Sequence, residues 1–172
     1  AAATCVVYGH GGEQVLAAFP GTDVRWVLQA EQHGTGHAMA QAMPQVPDDH
    51  LVLVLYGDVP LVRRETLARL VAEAGDKSIA ILSVMLPDPT GYGRIIRDGA
   101  GNVVRIVEHK DANTKERAIH ECNTGLMCVP AGRLRQWLVQ LKNDNAQGEY
   151  YLTDVIVAAV RAGLERDRSA AS

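Results

Sequence analysis

Three loops of this 172-residue chain carry residues that can do chemistry. The first, Gln29-Ala30-Glu31-Gln32-His33-Gly34-Thr35-Gly36, runs from an expected strand into an expected helix. Two glycines at a helix N-terminus leave backbone N–H groups open to an anion or a carbonyl oxygen, and the helix dipole favours either. The glutamines add amides that donate and accept at once. A pyrimidine edge, with its N–H flanked by carbonyls, asks for that mixture. A tight glycine turn with a capped helix would use the same residues, so both readings stand at this level. The segment is neither the dinucleotide fingerprint nor a P-loop, since no Gly-Lys-Ser/Thr follows.

The second loop is Tyr56-Gly57-Asp58-Val59-Pro60-Leu61, directly after the apolar run Leu51 to Leu55. A carboxylate at the carboxyl end of a buried strand is desolvated unless it meets a cation. Magnesium takes one or two carboxylates and completes its octahedron with water and phosphate oxygens. Asp58 would therefore suffice as an anchor if a phosphate ligand came with the metal; otherwise it caps a turn. Gly57 predicts close approach to the backbone. The third region joins Thr90-Gly91-Tyr92-Gly93-Arg94, Val107-Glu108-His109-Lys110 and Glu121-Cys122-Asn123-Thr124-Gly125. It places Gly, Glu and Asn at strand ends, a set suited to sugar hydroxyls as well as to ordinary turns.

Other constellations fail on their chemistry. His33 and His37 are four apart, but the Glu of a His-Glu-x-x-His arrangement and a third zinc ligand are missing. Gly9-His10-Gly11-Gly12 has no Gly-x-Ser-x-Gly elbow to supply a nucleophile. Thr153-Asp154 before an apolar helix reads as a cap, the acid favoured by the dipole.

The elements that must position these loops alternate. Strands are expected at Thr4–Tyr8, Val24–Leu28, Leu51–Leu55 and Ile79–Met85, and helices at Glu13–Phe19, Thr35–Met43 and Arg64–Ala74, with Thr35 as an N-cap. Five consecutive apolar residues at Leu51–Leu55 predict a central parallel strand buried on both faces. After Pro87 the pattern becomes β-rich. Strands are expected at Gly93–Arg97 and Val103–Glu108 around an Asp98–Asn102 turn, then at Cys122–Val129. Helices at Ala131–Leu141 and Thr153–Arg161 follow, then a frayed tail, Arg166 to Ser172. The fold class is α/β: a Rossmann-like, doubly wound, mostly parallel sheet with a β-rich insertion over one edge. Ligands of such sheets bind outside the carboxyl ends of the strands.

Composition sets the limits. Hydrophobic residues are 47% and charged residues 22%, and the net charge is −3. Disordered, collagen-like and coiled-coil chains are excluded. No basic stripe supports nucleic-acid binding, and no apolar run approaches the ~18 to 20 residues of a membrane span. The length predicts about one domain with a substantial core. Cys122 and Cys128 share one expected strand roughly 20 Å apart at ~3.3 Å per residue, too far for a disulfide. Three reduced thiols and no signal-peptide pattern predict a cytoplasmic protein.

Six segments in order resemble one family. They are Leu28 to Ala38, Leu55 to Leu61, Asp88 to Ile95, Ile106 to Ala112, Asn123 to Gly125, and Asn145-Ala146-Gln147-Gly148-Glu149-Tyr150-Tyr151-Leu152-Thr153-Asp154. Together they resemble the uridyltransferase domain of the bacterial bifunctional N-acetylglucosamine-1-phosphate uridyltransferase and glucosamine-1-phosphate acetyltransferase, over about Val7 to Ala162. The resemblance implies a nucleotide-binding part at about 1–86 and a sugar-binding part at about 87–172. It implies that Gln29, Gly34 and Thr35 hold uracil, and that Tyr56, Gly57 and Asp58 line the nucleotide and sugar-phosphate site. Asp58 is the implied magnesium ligand and catalytic residue, and Gly93, Glu108 and Asn123 would hold N-acetylglucosamine. UTP and N-acetylglucosamine-1-phosphate would give UDP-N-acetylglucosamine and pyrophosphate, a step in cell-wall precursor synthesis.

The chain departs from the family pattern at its ends. The opening Leu-Ala-Ala-Gly-x-Gly-Thr-Arg-Met loop and the Pro-Lys that neutralise the triphosphate are not in it. Nor are the asparagine that shares the magnesium and the β-helix acetyltransferase domain that makes the family's homotrimer. The chain thus reads as an internal piece of the first domain, expected to be monomeric and nearly inactive alone, with an unpaired edge where the first strand would lie. A non-catalytic sugar-nucleotide binding module and a nucleotidyltransferase for another sugar phosphate are the alternatives.

Overall fold

The computed structural model describes residues 3–75, 78–163 and 166–170, the last segment by backbone alone. The first half contains β1 (Cys5–Tyr8), α1 (Glu13–Ala18), β2 (Arg25–Leu28), α2 (Thr35–Ala42), β3 (Leu51–Val54), α3 (Arg64–Glu73) and β4 (Ile79–Met85). The second half contains β5 (Arg94–Arg97), β6 (Val103–Val107), α4 (Thr114–Arg117), β7 (Glu121–Pro130), α5 (Ala131–Leu138), α6 (Val155–Arg161) and β8 (Arg166–Ala170). Short 3-10 turns cover Met43–Gln45 and Leu152–Asp154.

The ten-residue β7 organises the larger sheet, whose order is β6-β5-β7-β4-β8 with β3 also paired to β7. One edge of β7 carries β4. The other is shared: Cys122 faces Arg94 of β5, and Met127 to Pro130 face Val54 to Leu51 of β3. Strands β3, β4, β5 and β8 therefore run one way and β7 runs against them. A separate two-stranded sheet pairs β1 with β2 in parallel, Cys5 opposite Arg25 and Tyr8 opposite Leu28. Alternation along β4 separates two cores. Ile79 and Ile81 face a cluster with Trp137, Leu134, Leu152 and Ile156, while Ala80 and Leu82 face Leu70, Ala74 and Leu126. That period of two is what a strand buried on both faces requires.

Several expectations are corrected. Strand β3 is not a central parallel strand: it is antiparallel to β7, only half-buried, and pairs with β7 alone among the described residues. An apolar run reports burial potential, not how many neighbours a strand meets. Thr35 is not the cap of α2; Gly34 occupies that position. The tail expected to fray runs from Arg166 to Ala170 as β8, parallel to β4, and residues 171–172 lie outside the described residues. Helix α5 ends three residues earlier than expected, at Leu138. Helix α4 was not anticipated, although Asn113 and Glu116 form a reciprocal capping box whose spacing was readable.

Candidate functional site

The base loop begins where β2 ends. The Gln29 N–H donates to the Tyr8 carbonyl at 2.8 Å, extending the β1–β2 pairing by one residue, and fixes where the side chain starts. Gln29 is 8% exposed, and its Nε2 lies 3.1 Å from the Gly34 carbonyl oxygen and 3.0 Å from His37 Nδ1. Gly34 has φ 101°, and a Cβ there would stand 2.7 Å from the Tyr150 carbonyl oxygen. Both facts demand glycine. The helix start is not open as expected: the Gly36 N–H donates to that same oxygen at 2.7 Å. Thr35 Oγ1 accepts from the Leu152 N–H at 3.0 Å instead of capping its own helix. Residues 150–152 thus fasten the base loop to the far end of the chain.

The sugar side is built by an irregularity in β7. Between Ile81 and Ser83 of β4 the partner register jumps from Met127 to Asn123, so Thr124–Leu126 bulges out. Thr124 Oγ1 donates to the Leu82 carbonyl at 2.8 Å and accepts from the Leu126 N–H at 3.2 Å, and Asn123 Oδ1 accepts from the Gly125 N–H at 3.1 Å. A bulge re-aims side chains that a regular ladder would hold across from a partner. Here the Asn123 N–H donates to the Gly93 carbonyl at 2.8 Å, and the Tyr56 ring sits over Gly125, where a Cβ would lie 2.7 Å from Cε2. A Cβ on Gly93 would be 3.2 Å from Glu108 Oε2, so backbone and carboxylate line one surface.

Glu108 joins the two sides. Thr153 Oγ1 donates to its Oε1 at 3.0 Å. Burial pushes its carboxyl above the ordinary 4.5, the Thr153 bond opposes that, and the Asp111 charge adds to it. The Tyr56 phenol is raised chiefly by burial, with the Glu108 and Asp58 charges adding to it and a hydrogen bond from the Thr35 side chain pulling it down. Thr35, Tyr56, Asp58 and Glu108 therefore feel one another. Asp154 is raised by burial, then by Glu108, Asp111 and Asp144. It holds the cap position of α6 without a side-chain cap bond, while the buried Thr153 serves Glu108, so the cap expected of this pair is not formed.

Asp58 departs from expectation. It lies exposed in the turn after β3 and is not a desolvated carboxylate, because a half-buried strand delivers it to solvent. Gly57 has nothing within 4 Å of its Cβ position, so no backbone contact explains that glycine. Asp58 is nonetheless near enough to Tyr56 for its charge to raise that phenol.

Sequence reasoning overlooked two supports. Thr153 carries Glu108, and the Tyr151 hydroxyl donates to Asp111 Oδ2 at 3.2 Å. Their signal was the dense polar run from Asn145 to Asp154, but its partners are about forty residues away in sequence. Arg94, 1% exposed, is a further support that its sequence position did not reveal. Its Nη1 donates to the Tyr92 carbonyl, and its Nη2 lies 3.3 Å from the Arg117 carbonyl and 3.4 Å from His109 Nδ1. Cys128 is fully buried, and burial pushes its thiol up to about 11, which removes thiolate reactivity at neutral pH. Among the described residues no helix is long and apolar enough to cross a membrane.

This arrangement, an α/β sheet with a base loop at one helix start and a β-rich wall opposite, is a nucleotidyltransferase fold. It superposes on a structure described as UDP-glucose pyrophosphorylase complexed with UDP-glucose, with a TM-score of 0.72 at 13% identity, over 95% of this chain and 71% of that one. A family model for the MobA-like NTP transferase domain matches residues 1–94, and the chain belongs to that family. It is 63% identical over 159 residues to the bifunctional protein GlmU of Alkalilimnicola ehrlichii, covering 92% of this chain and 34% of that protein. It is 58% identical over 165 residues to the bifunctional protein GlmU of Thiobacillus denitrificans, covering 96% and 36%. The chain thus spans about a third of the length of the curated relatives it matches.

Proposed function

We propose that this chain forms the uridyltransferase site that makes UDP-N-acetylglucosamine and pyrophosphate from UTP and N-acetylglucosamine-1-phosphate. The observation that carries the reading is the hydrogen-bonded continuity from base loop to sugar wall: Thr35 is tied to residue 152, and Thr153 to Glu108. Two successive bonds thereby link the residues proposed for the base to those proposed for the sugar. The identity to the GlmU relatives supports the same reading.

Gln29, Gly34 and Thr35 take the uracil. Tyr56 and Gly57 line the ribose and phosphate path. The Gly93 backbone, the Glu108 carboxylate and the Asn123 amide take the acetamido sugar. The sugar phosphate oxygen forms a new bond to the α-phosphorus of UTP as the bond to pyrophosphate breaks, and the pyrophosphate oxygen leaves with the electron pair. The residues contribute chiefly by alignment, the effect that converts an encounter into an intramolecular-like reaction.

The donor set fits magnesium in one way. No group of three or more His, Cys, Asp or Glu side chains gathers among the described residues, and the exposed Asp58 is the carboxylate assigned to the metal. Magnesium accepts one carboxylate when phosphate and water complete its shell. Bound there, it would offset the charge on the phosphates. On this reading the chain acts in the cytoplasm as part of a longer homotrimeric protein whose second activity is acetyl transfer to glucosamine-1-phosphate.

Calorimetric titration with UDP-N-acetylglucosamine, UDP-glucose and ADP-glucose tests the assignment. UDP-N-acetylglucosamine should bind at least ~10-fold more tightly than the other two, the scale of one well-placed hydrogen bond. Equal affinity for the three would overturn it.

A further inference from the structure

His37 has an amide nitrogen beside each of its ring nitrogens. Nδ1 lies 3.0 Å from Gln29 Nε2, and Nε2 lies 3.2 Å from Gln41 Nε2. A neutral imidazole has one acceptor nitrogen and one N–H, so the two amides cannot both donate to it. The Gly34 carbonyl decides between them. It can only accept, and it lies 3.1 Å from Gln29 Nε2, so that atom is the NH2 end of the amide. One of its hydrogens goes to Gly34 and the other to His37 Nδ1. The ring proton therefore sits on Nε2. Gln41, one turn further along α2, is held by nothing stronger than a 3.4 Å contact to the His37 carbonyl. With the ring proton on Nε2, the Gln41 amide must present its oxygen there and give up that long contact.

Both hydrogens of the Gln29 amide are then spent inside the protein. Its Oε1 is the group left over for a ligand. We propose that His37 is a specificity-determining positioning residue: by keeping its proton on Nε2 it fixes the Gln29 amide with Oε1 toward the base, so the site reads a ring N–H and selects uracil over cytosine. The proposal rests on the uridine-nucleotide reading above. Uracil carries a hydrogen on its N3, which Oε1 can accept. Cytosine carries a lone pair there, and two acceptors would face each other. A site built to hydrogen-bond one polar edge rejects the analogue that lacks it far more strongly than an apolar pocket rejects a change of shape.

Two measurements test this. Long-range 1H–15N correlation spectra of the chain report the His37 tautomer directly; the Nε2–H form is expected, and the Nδ1–H form would overturn the proposal. The chain and its His37→Phe and His37→Asn variants are also titrated with UDP-N-acetylglucosamine and CDP-N-acetylglucosamine. The wild type should favour the uridine ligand. His37→Phe should lower that preference by about 10-fold or more through weaker uridine binding, the scale of one lost charge-free hydrogen bond and a freed amide. His37→Asn, whose Oδ1 can stand where Nδ1 accepts, should recover most of it. A preference unchanged in His37→Phe removes the specificity role and leaves the functional reading intact. A wild type that does not distinguish the two ligands removes both.

Discussion

Single residues here are constrained more by what touches them than by their own chemistry. Gly34 combines a left-handed φ with a carbonyl oxygen where its Cβ would go. Gly34→Ala should therefore destabilise the fold by about 2–3 kcal/mol, strain and clash together, measured by urea unfolding. Unchanged stability would mean that residue 150 does not seal the loop. Glu108 shows the opposite balance between site and fold. Its folded pKa is raised, so the folded state binds that proton more tightly than the unfolded chain does. The stabilising contribution is complete below the ordinary value of 4.5 and is lost as pH rises through the raised value. At pH 7 the ionised carboxylate is thus a burden on stability. Glu108→Gln should raise the unfolding midpoint at pH 7, with the gain vanishing toward pH 4, while weakening sugar-nucleotide binding. A variant less stable than wild type at pH 7 would show that the Thr153 bond outweighs the burial.

At the scale of elements, the β-rich half is held by the buried guanidinium of Arg94. Arg94 bonds the Tyr92 and Arg117 carbonyls and reaches His109, so one buried side chain ties the Gly93 turn, the end of α4 and the residue after Glu108 together. Arg94→Ala should cost on the order of 3 kcal/mol, because the Tyr92 and Arg117 carbonyls lose charged donors and a buried, packed stem is removed. Denaturant unfolding would show it, and a cost within error of zero would mean that the turn is held by its strands alone. The sequence announced this region unevenly. Periodicity located β1 to β7, because alternation and turn residues are local signals, but it missed β8, whose polar run reads as a frayed tail. It could not show the two-residue slip in β7, since that exists only against β4, nor that Asn123 thereby meets Gly93. The base loop was legible from its glycines. Its sealing by residues 150–152 was not, because contacts more than a hundred residues apart leave no local pattern. Leu51–Val54 was legible as a strand but misread in direction and depth, as hydrophobicity alone does not name a partner.

The whole molecule is two sheets of unequal strength. The six-stranded sheet has cores on both faces, whereas β1 and β2 form a pair whose residues are half-buried at best. A two-stranded sheet is marginal without packing on a partner element. Backbone amides of β1 and β2 should therefore exchange with deuterium at least ~100-fold faster than those of β4 and β7, as local opening stays well below global unfolding. Equal protection would mean that the sheets unfold as one unit. Because Gln29 extends β2, a bound uridine ligand should slow exchange in that pair and join the smaller sheet to the larger.

The most direct test of that joining is a calorimetric titration of the chain with UDP-N-acetylglucosamine, run beside Gln29→Ala and Asn123→Ala. These residues stand on different sheets, one at the base loop and one at the sugar wall. If one ligand spans both, each substitution should weaken binding by about 1–3 kcal/mol, since each leaves a ligand group unpaired. Binding that neither substitution alters, or no binding by a folded chain, would contradict a nucleotide-sugar site at this cleft.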